Sequence, residues 1–414
     1  MEPPQSPSAA LKTPDEGDSS QTPPPPPYPP SSSTPIHECL PHSTTTTTTT
    51  STCCNGGGPA EIPPPQPLSS SISPPPPNHR PTRDRPPSLP PNHSYQAIID
   101  TPVPKSQKVS VISLPHEFLT PSKKINHPDD MARFIETDLL SNFIGFIVSL
   151  SESIRGKKLS EPCRESETLT YICSVLDTFA SWVDEIPPIQ QTNKHGNFAY
   201  RDWYDRLLAN SEALILKFLP EDLKSSTEEL VPYFTDSFGN SARLDYGTNH
   251  ELNFTAWIYC LARMGVTKEE DYQAVVSRVY VKYYNVTRKL QTVYDLEPGS
   301  HMYGFSGLDD YHFLPFIFGS SQLIAHKYMK PKSIHIQDIL DNFAKEYLYI
   351  SCIALVKKKK KGVFADNWPL LDDISRVPNW TKVNDGLLKM YKAEMLESLQ
   401  YMASSFQTGS LLQW

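Results

Sequence analysis

The stretch KEEDYQAVVSRVYVKYYNVTRKLQTVY, residues 268–294, decides the fold class because its apolar side chains recur at helical spacing along most of its length. The apolar stripe consists of Val275, Val276, Val279, Tyr283, Val286, Leu290 and Val293. Residues three or four positions apart lie on one face of an α-helix. The pattern therefore predicts one long amphipathic helix from Lys268 to Tyr294.

Two further segments on either side of this stretch have the same periodicity. One begins at Pro128, where a proline followed by Asp129 and Asp130 suits the first turn of a helix. Its apolar positions are Met131, Phe134, Ile135, Leu139, Phe143, Phe146, Ile147 and Leu150. The other segment runs from Ile336 to Lys361 and stops at Gly362, a residue typical of helix ends.

The predicted fold class is all-α, because only Val109 to Ser113 alternates like a strand. Several long segments between the predicted helices read as loops instead. They are residues 193–201, 238–249, 298–315 and 369–385. Long loops in a compact domain tend to carry function, so we sought the functional residues there.

The first quarter of the chain has a composition that does not form a core. Residues 1–104 hold 29 of the 42 prolines, together with the threonine run 44–50. Such a segment buries too little apolar surface to offset the entropy of ordering it. We therefore predict a disordered Pro/Ser/Thr-rich tail over residues 1–104 and one helical domain over residues 105–414.

Net charge, apolar content and cysteine content limit the classes of protein to which this chain can belong. The formal net charge is −8, which argues against a broad nucleic-acid-binding face. No stretch approaches the length of apolar sequence that spans a membrane, and the N-terminus lacks the features of a signal peptide. The seven cysteines are few and scattered, which favours free thiols in a reducing compartment. We expect a cytoplasmic protein, with a nuclear location as an alternative if the lysine run 357–361 acts as a nuclear signal.

The first motif with chemical content is LDYGTNHELNF, residues 244–254. A helical zinc motif would need a second histidine at the position of Phe254, so zinc is excluded here. Thr248 and Glu251 have the spacing of a capping box, which predicts a helix start. A helix N-terminus also attracts anions, and Arg243 upstream could add a bidentate contact to a phosphate.

The second motif is GFSGLDDYHFLPF, residues 304–316. Asp309 and Asp310 are adjacent, so they do not face each other as a catalytic acid/base pair would. One carboxylate with a backbone carbonyl would suit Mg²⁺, which usually keeps waters and a substrate phosphate as its other ligands. The alternative is that Asp309 caps the following helix while the aromatic residues Tyr311, Phe313 and Phe316 pack in the core.

The third motif is VPNWTKVNDGLLKMYKAEML, residues 377–396, which predicts a proline turn followed by an amphipathic helix. Trp380 either lines a peptide groove or packs beneath the preceding loop. The lysine run 357–361 is most simply a solvated helix end, where positive charge is favourable.

Taken in order along the chain, these motifs resemble the phosphotyrosyl phosphatase activator family. The resemblance rests on HEFLTPSKKINHPDDMARFIETDLLSNFIGFI, GNFAYRDWYDRL, YFTDSFGNSARLDYGTNHELNF, GLDDYHFLPFIFGSSQLI and VPNWTKVNDGLLKMYKAE, and covers about residues 113 to 412. It implies a family-specific helical fold with core, linker and lid subdomains around a deep pocket. The tail lies outside it.

The resemblance also implies a function. Members activate the type 2A serine/threonine protein phosphatase, with its catalytic subunit as the partner and its scaffold subunit as a further candidate. They bind ATP with Mg²⁺ and are assigned peptidyl-prolyl cis–trans isomerase activity on a proline-containing peptide. The alternative is a non-enzymatic, ATP-dependent assembly chaperone of the same phosphatase.

Site residues follow from the resemblance motif by motif. Arg243 and Thr248 match positions that hold the nucleotide, and Asn249, which stands where the family usually has Gly, would add a backbone contact. Gly304 and Asp310 match the magnesium positions. A separate hypothesis rests on the clustering of aromatic and acidic residues in two loops. It takes Tyr311, Phe313 and Trp380 as candidates for a peptide groove, with Asp309 or Asp310 orienting the peptide.

The chain departs from the family pattern at two places that bear on the affinity for ATP. Phe305 and Ser306 replace a Val-Trp pair beside the magnesium positions. Ser404 and Ser405 replace a Gln-His pair that helps to grip the nucleotide.

Overall fold

The computed structural model describes residues 102–124, 130, 137–192, 195–299, 308–309, 311–359, 362–401 and 407–413. All of them belong to one compact unit. The predicted tail lies outside the described residues apart from positions 102–104, and so does the predicted helix start at Pro128. Among the described helices, none combines the length and the apolar character needed to cross a bilayer.

The described residues are almost entirely helical, which confirms the predicted fold class. The α-helices are α1 Asp138–Ser153, α2 Glu167–Glu185, α3 Ala199–Leu216, α4 Thr227–Thr235, α5 Thr248–Arg263, α6 Tyr272–Ala274, α7 Val281–Val293, α8 Leu314–Gln322, α9 Gln337–Phe343, α10 Leu348–Lys359, α11 Phe364–Asn367, α12 Pro369–Ser375 and α13 Trp380–Tyr401. Short 3₁₀ turns are Glu221–Ser226, Asp236–Phe238, Glu269–Asp271 and Pro331–His335. Two short strands, β1 Asp245–Tyr246 and β2 Glu297–Pro298, pair in parallel.

The helix predicted over residues 268–294 is present, with a π-helical segment Val275–Tyr280 between α6 and α7. Its apolar stripe is buried apart from Val293, which is partly buried. Within this stripe the Tyr283 ring stacks on Phe254 of α5 with ring centroids 3.8 Å apart. The periodicity predicted this helix correctly because one face is buried along its whole length.

The single helix predicted from Ile336 to Lys361 is wrong, because the structure has two helices there, α9 and α10. The break is stabilised by Gln322 at the end of α8. Its side-chain oxygen accepts the Leu348 N–H at 2.8 Å, and its amide nitrogen donates to the Glu346 carbonyl at 3.2 Å. One side chain from a distant helix thus satisfies backbone groups on both sides of the break.

Two other local predictions are wrong. Residues 109–113 form no strand; their backbone is held instead by a hydrogen bond from Ile112 N–H to the Arg263 carbonyl at 2.8 Å. The loop predicted over residues 369–385 is mostly helical, since it contains α12 and the first turns of α13. Short helices such as α12 carry too few residues to show a period.

Helix α5 is the centre of the core. Its residues from His250 to Ala262 are all buried. Helix α8 is equally buried, and it approaches α10 so closely at Gly319 that a Cβ there would overlap the backbone nitrogen of Tyr349. The N-termini of α5 and α8 therefore have fixed positions in the core.

Candidate functional site

The N-terminus of α5 is fixed by the pairing of β1 with β2. Asp245 pairs with Glu297 and Tyr246 pairs with Pro298. One residue further on, a Cβ on Gly247 would lie 3.2 Å from the Cα of Gly299, so the two backbone segments approach closely at this pair of glycines.

The predicted capping box of Thr248 and Glu251 is wrong. Gly247 is the N-cap, in an extended conformation with φ −159° and ψ −176°, and Thr248 is the first helical residue. This shift of one position turns Glu251 away from its own helix start. No side-chain cap is present, and among the described residues the N–H groups of Thr248 and Asn249 have no hydrogen-bond acceptor.

Glu251 caps a different helix. Its Oε2 accepts the N–H of Phe313 at 2.8 Å and the N–H of Leu314 at 3.1 Å, at the start of α8. Burial raises the pKa of Glu251 to about 7, although both N–H groups favour the charged form. The first turn of α5 and the segment before α8 are therefore joined through one buried carboxyl group.

Arg243 lies on the surface beside this helix start. Its side chain is 58% exposed and forms a fork with Asp245, from Nε to Oδ2 at 2.6 Å and from Nη2 to Oδ1 at 3.2 Å. Burial acts to raise the pKa of Asp245, but the His250 ring, whose Nε2 lies 3.9 Å from Oδ1, and the hydrogen bonds from Arg243 outweigh it and lower the pKa. The remaining N–H groups of the guanidinium can bind a second anion.

Asp309 does not cap α8, which corrects the alternative drawn from the sequence; Glu251 occupies that role. Asp309 is buried and charged. Its Oδ1 lies 3.1 Å from Lys359 Nζ and its Oδ2 lies 3.8 Å from His312 Nδ1. Burial acts to raise the pKa of Asp309, but His312 and the Lys359 charge together hold it well below its usual range. Burial lowers the pKa of His312 to about 4, so this ring is neutral.

Of the five residues predicted for a peptide groove, two are core residues. Trp380 is 3% exposed, contacts Tyr349 edge-on and donates from Nε1 to the Met329 carbonyl at 2.9 Å. Phe313 is also buried, against Tyr391. The structure contradicts a groove role for both and confirms the alternative, packing beneath the preceding segment.

The comparison with known proteins adds a decisive observation to this geometry. The family model described as phosphotyrosyl phosphate activator (PTPA) protein matches residues 121–414. The chain belongs to the PTPA family.

Individual relatives agree with this assignment. A probable serine/threonine-protein phosphatase 2A activator 1 of Dictyostelium discoideum is 40% identical over 299 residues, which cover 72% of this chain and 91% of that protein. A serine/threonine-protein phosphatase 2A activator 2 of Cryptococcus neoformans var. neoformans serotype D is 42% identical over 303 residues, covering 72% and 78%. The crystal structure of the PP2A phosphatase activator Ypa1 is similar with a TM-score of 0.65 at 30% identity, covering 73% of this chain and 98% of that one.

Within this PTPA chain, several predicted site residues lie outside the described part. They are Gly304, Phe305, Ser306, Asp310, Ser404 and Ser405. In the described part, no group of three or more His, Cys, Asp or Glu side chains could hold a metal. Asp309 is unsuited to that role because Lys359 already neutralises it.

The donors present do fit the phosphates of a nucleotide. The α5 N-terminus offers the N–H groups of Thr248 and Asn249, which have no acceptor in the described part of the chain, and the exposed Arg243 lies five residues before Thr248. A helix N-terminus and a guanidinium are both common phosphate ligands. These three residues are brought to one end of α5, as the sequence predicted, and their role as ligands stays a prediction.

Three further residues of this region were not among the site residues predicted from the sequence: Lys359, His312 and Arg288. Arg288 donates from Nη2 to the Cys352 thiol at 3.3 Å, while its Nε is buried without an acceptor in the described part of the chain. The Lys359 ammonium also lies 4.2 Å from the ring centroid of Tyr311. The sequence held one indication of the role of Lys359, because the lysine run 357–361 directly continues a helix with a buried face.

Proposed function

We propose that this chain binds the catalytic subunit of the type 2A serine/threonine protein phosphatase and activates it. The observation that carries the proposal is the match of residues 121–414 to the PTPA family, which takes in nearly all of the described helices. Relatives named as activators of this phosphatase share 40% and 42% of their aligned residues with the chain. The scaffold subunit of the phosphatase is a further candidate partner.

The proposed activator depends on ATP and Mg²⁺. Arg243, Thr248 and Asn249 would hold the phosphates, because they combine a positive charge with the free N–H groups of a helix N-terminus. Gly304 and Asp310, placed by the family resemblance, would hold the magnesium. Bound Mg²⁺ would supply charge neutralisation between the phosphates and the acidic segment.

The proposed activity is peptidyl-prolyl cis–trans isomerisation. The barrier to rotation, about 18–20 kcal/mol, arises from amide resonance, so this reaction needs no nucleophile. A surface that desolvates the prolyl carbonyl and a donor near the proline nitrogen would suffice. Tyr311, which is half-buried, is the described candidate for that surface, and Asp310 is the candidate to orient the peptide. Asp309 and Phe313 are buried close to Tyr311 in the sequence, whereas Trp380 packs against Tyr349.

A non-enzymatic assembly chaperone is the alternative. It would use the same surface to hold the phosphatase while its metals are loaded, and isomerisation would be incidental. An isomerase assay on a proline peptide, with the isolated chain and with or without ATP and Mg²⁺, separates the two functions. Turnover by the isolated chain supports the isomerase, whereas phosphatase activation without turnover supports the chaperone.

The substitution Asp310→Ala tests the proposed site directly. We expect loss of both the isomerase rate and the activation of the phosphatase catalytic subunit, since the substitution removes the carboxylate proposed to orient the peptide and to hold the magnesium. Asp338→Ala on the exposed first turn of α9 is the matched control. Full activity of Asp310→Ala in both assays would contradict the proposal.

A further inference from the structure

The segment between α8 and the 3₁₀ turn Pro331–His335 carries an exposed aromatic side chain. The Tyr328 side chain is 76% exposed there, although its neighbour Met329 and the following Pro331 are buried. A large aromatic side chain so exposed on an ordered turn has no role in the core.

The backbone around Tyr328 is held firmly in place. His326 Nδ1 accepts the N–H of Tyr328 at 3.3 Å and the N–H of Met329 at 2.9 Å. The Met329 carbonyl in turn accepts the Trp380 indole N–H at 2.9 Å. Because these bonds order the turn in the free protein, binding through Tyr328 would cost little additional backbone entropy.

Four exposed lysines lie close to Tyr328 in the sequence or on the loop that follows α1. They are Lys158, Lys327, Lys330 and Lys332. Gly156 N–H donates to the Ser321 carbonyl at 3.0 Å, which places the loop carrying Lys158 against the C-terminal end of α8, the helix that precedes this turn. Burial and the charges of Lys158 and Lys330 lower the pKa of His326, as expected if both ammonium groups are near the ring. Lys327 Nζ lies 5.3 Å from the centroid of the Tyr328 ring.

These lysines are not neutralised within the described part of the chain. None of the four ammonium groups there has a carboxylate at ion-pair distance. Two acids lie near the loop that carries Lys158. Glu161, on the same loop, accepts the backbone N–H of Lys158, and Glu346, between α9 and α10, accepts the Ser160 hydroxyl. A concentration of unpaired positive charge is unusual in a chain whose net charge is −8.

We propose that the basic turn, defined as Tyr328 with Lys158, Lys327, Lys330 and Lys332, is a docking surface for an acidic segment of a partner protein. Tyr328 is the anchor, since exposed tyrosines dominate binding energy at many interfaces, and the lysines steer and orient the acidic chain. A second copy of this chain is a poor occupant, because a symmetric contact would bring like charges together. The proposal is independent of the nucleotide site.

The test uses the full chain and a fluorescein-labelled peptide of alternating Glu and Ala, with a Gln-Ala peptide as the neutral control. Binding is followed by fluorescence anisotropy at several salt concentrations. We expect Lys327→Glu/Lys330→Glu and Tyr328→Ala each to weaken binding by about tenfold, with Tyr328→Phe close to wild type. Binding should also weaken as salt rises, because the lysines are exposed to screening.

Lys217→Glu, an exposed lysine at the end of α3 with no partner among the described residues, is the charge-matched control and should bind the peptide like wild type. Equal thermal unfolding of all variants would show that the substitutions act on binding alone. Absence of binding by wild type, equal binding of the Gln-Ala peptide, or an affinity unchanged by the double charge reversal would each overturn the proposal. Binding to phosphatidylserine vesicles but not to the acidic peptide would assign the surface to a membrane instead and would overturn it too.

Discussion

The Glu251 carboxylate accepts the backbone N–H of Phe313 at 2.8 Å, and this bond links the first turn of α5 to the start of α8. Leu314 donates to the same oxygen, and the next residue, Pro315, has no N–H to satisfy. One buried side chain therefore caps α8, the helix that follows Asp309 and Asp310 in the sequence. Its position makes Glu251 a test of how strongly the two helices depend on each other.

Replacing Glu251 with alanine should lower the free energy of unfolding by about 2–4 kcal/mol, because two buried N–H groups would lose their acceptor. Denaturant unfolding followed by circular dichroism measures this change. Glu212→Ala on the exposed side of α3 is the control and should change stability by less than about 0.5 kcal/mol. A loss for Glu251→Ala no larger than that of the control would mean that water replaces the carboxylate.

The same carboxyl group predicts a dependence of stability on pH. Burial raises its pKa from 4.5 to about 7. Between these two pH values the folded protein keeps a proton on Glu251 that the unfolded chain has released. The contribution of Glu251 is therefore fully present below about pH 4.5 and is lost as the pH rises through about 7. His312, whose pKa is lowered to about 4, contributes in the opposite direction in an overlapping window.

The comparison of wild type with Glu251→Gln isolates the carboxyl group, because His312 is common to both proteins. Wild type should lose stability relative to Glu251→Gln between about pH 4.5 and pH 7. Denaturant unfolding at several pH values measures this difference. A constant difference across the range would show that the pKa of Glu251 is not raised.

The reasons why sequence patterns succeeded or failed are visible in particular residues. The helix over residues 268–294 was predictable because its stripe is buried along its length. The predicted capping box was wrong because the extended Gly247, one residue before Thr248, is the N-cap of α5. The break before α10 was not predicted because the side chain that stabilises it, Gln322, belongs to another helix. The ion pair between Asp309 and Lys359 joins residues fifty positions apart, and no local pattern reports such a contact.

The proposed nucleotide site predicts a loss of affinity for Arg243→Ala. The variant removes a guanidinium next to the free N–H groups of α5, and we expect about tenfold weaker binding of a fluorescent ATP analogue. Equilibrium titration of the isolated chain, without phosphatase, measures it. Arg155→Ala, which removes another exposed arginine in a surface ion pair, should bind like wild type. Equal affinities for wild type and Arg243→Ala would remove Arg243 from the site.

The close approach of α8 and α10 predicts opposite effects for two glycine substitutions. Gly319→Ala should lower the free energy of unfolding by about 1–3 kcal/mol or more, because the new Cβ meets the rigid backbone of Tyr349. Gly386→Ala has no neighbouring atom within 4 Å of the new Cβ and should raise it by about 0.5–1 kcal/mol, as alanine is the better helix former. Chemical denaturation of both variants measures the two effects, and equal signs would contradict the predicted contact.

Lys359 and Lys358 are neighbours in one lysine run, yet the structure predicts different effects for their removal. Lys359→Met leaves the buried Asp309 without its cation and should cost about 1–3 kcal/mol, less than a fully buried pair because the lysine is partly exposed. Lys358→Met removes an exposed side chain with no partner among the described residues and should change little. Adding Asp309→Asn to Lys359→Met should cost less than Asp309→Asn costs in wild type, because the carboxylate no longer has a cation to lose. Chemical denaturation of wild type, Lys359→Met, Asp309→Asn and the double variant completes a double-mutant cycle and measures this coupling. Strictly additive effects would mean that the two groups do not interact in solution.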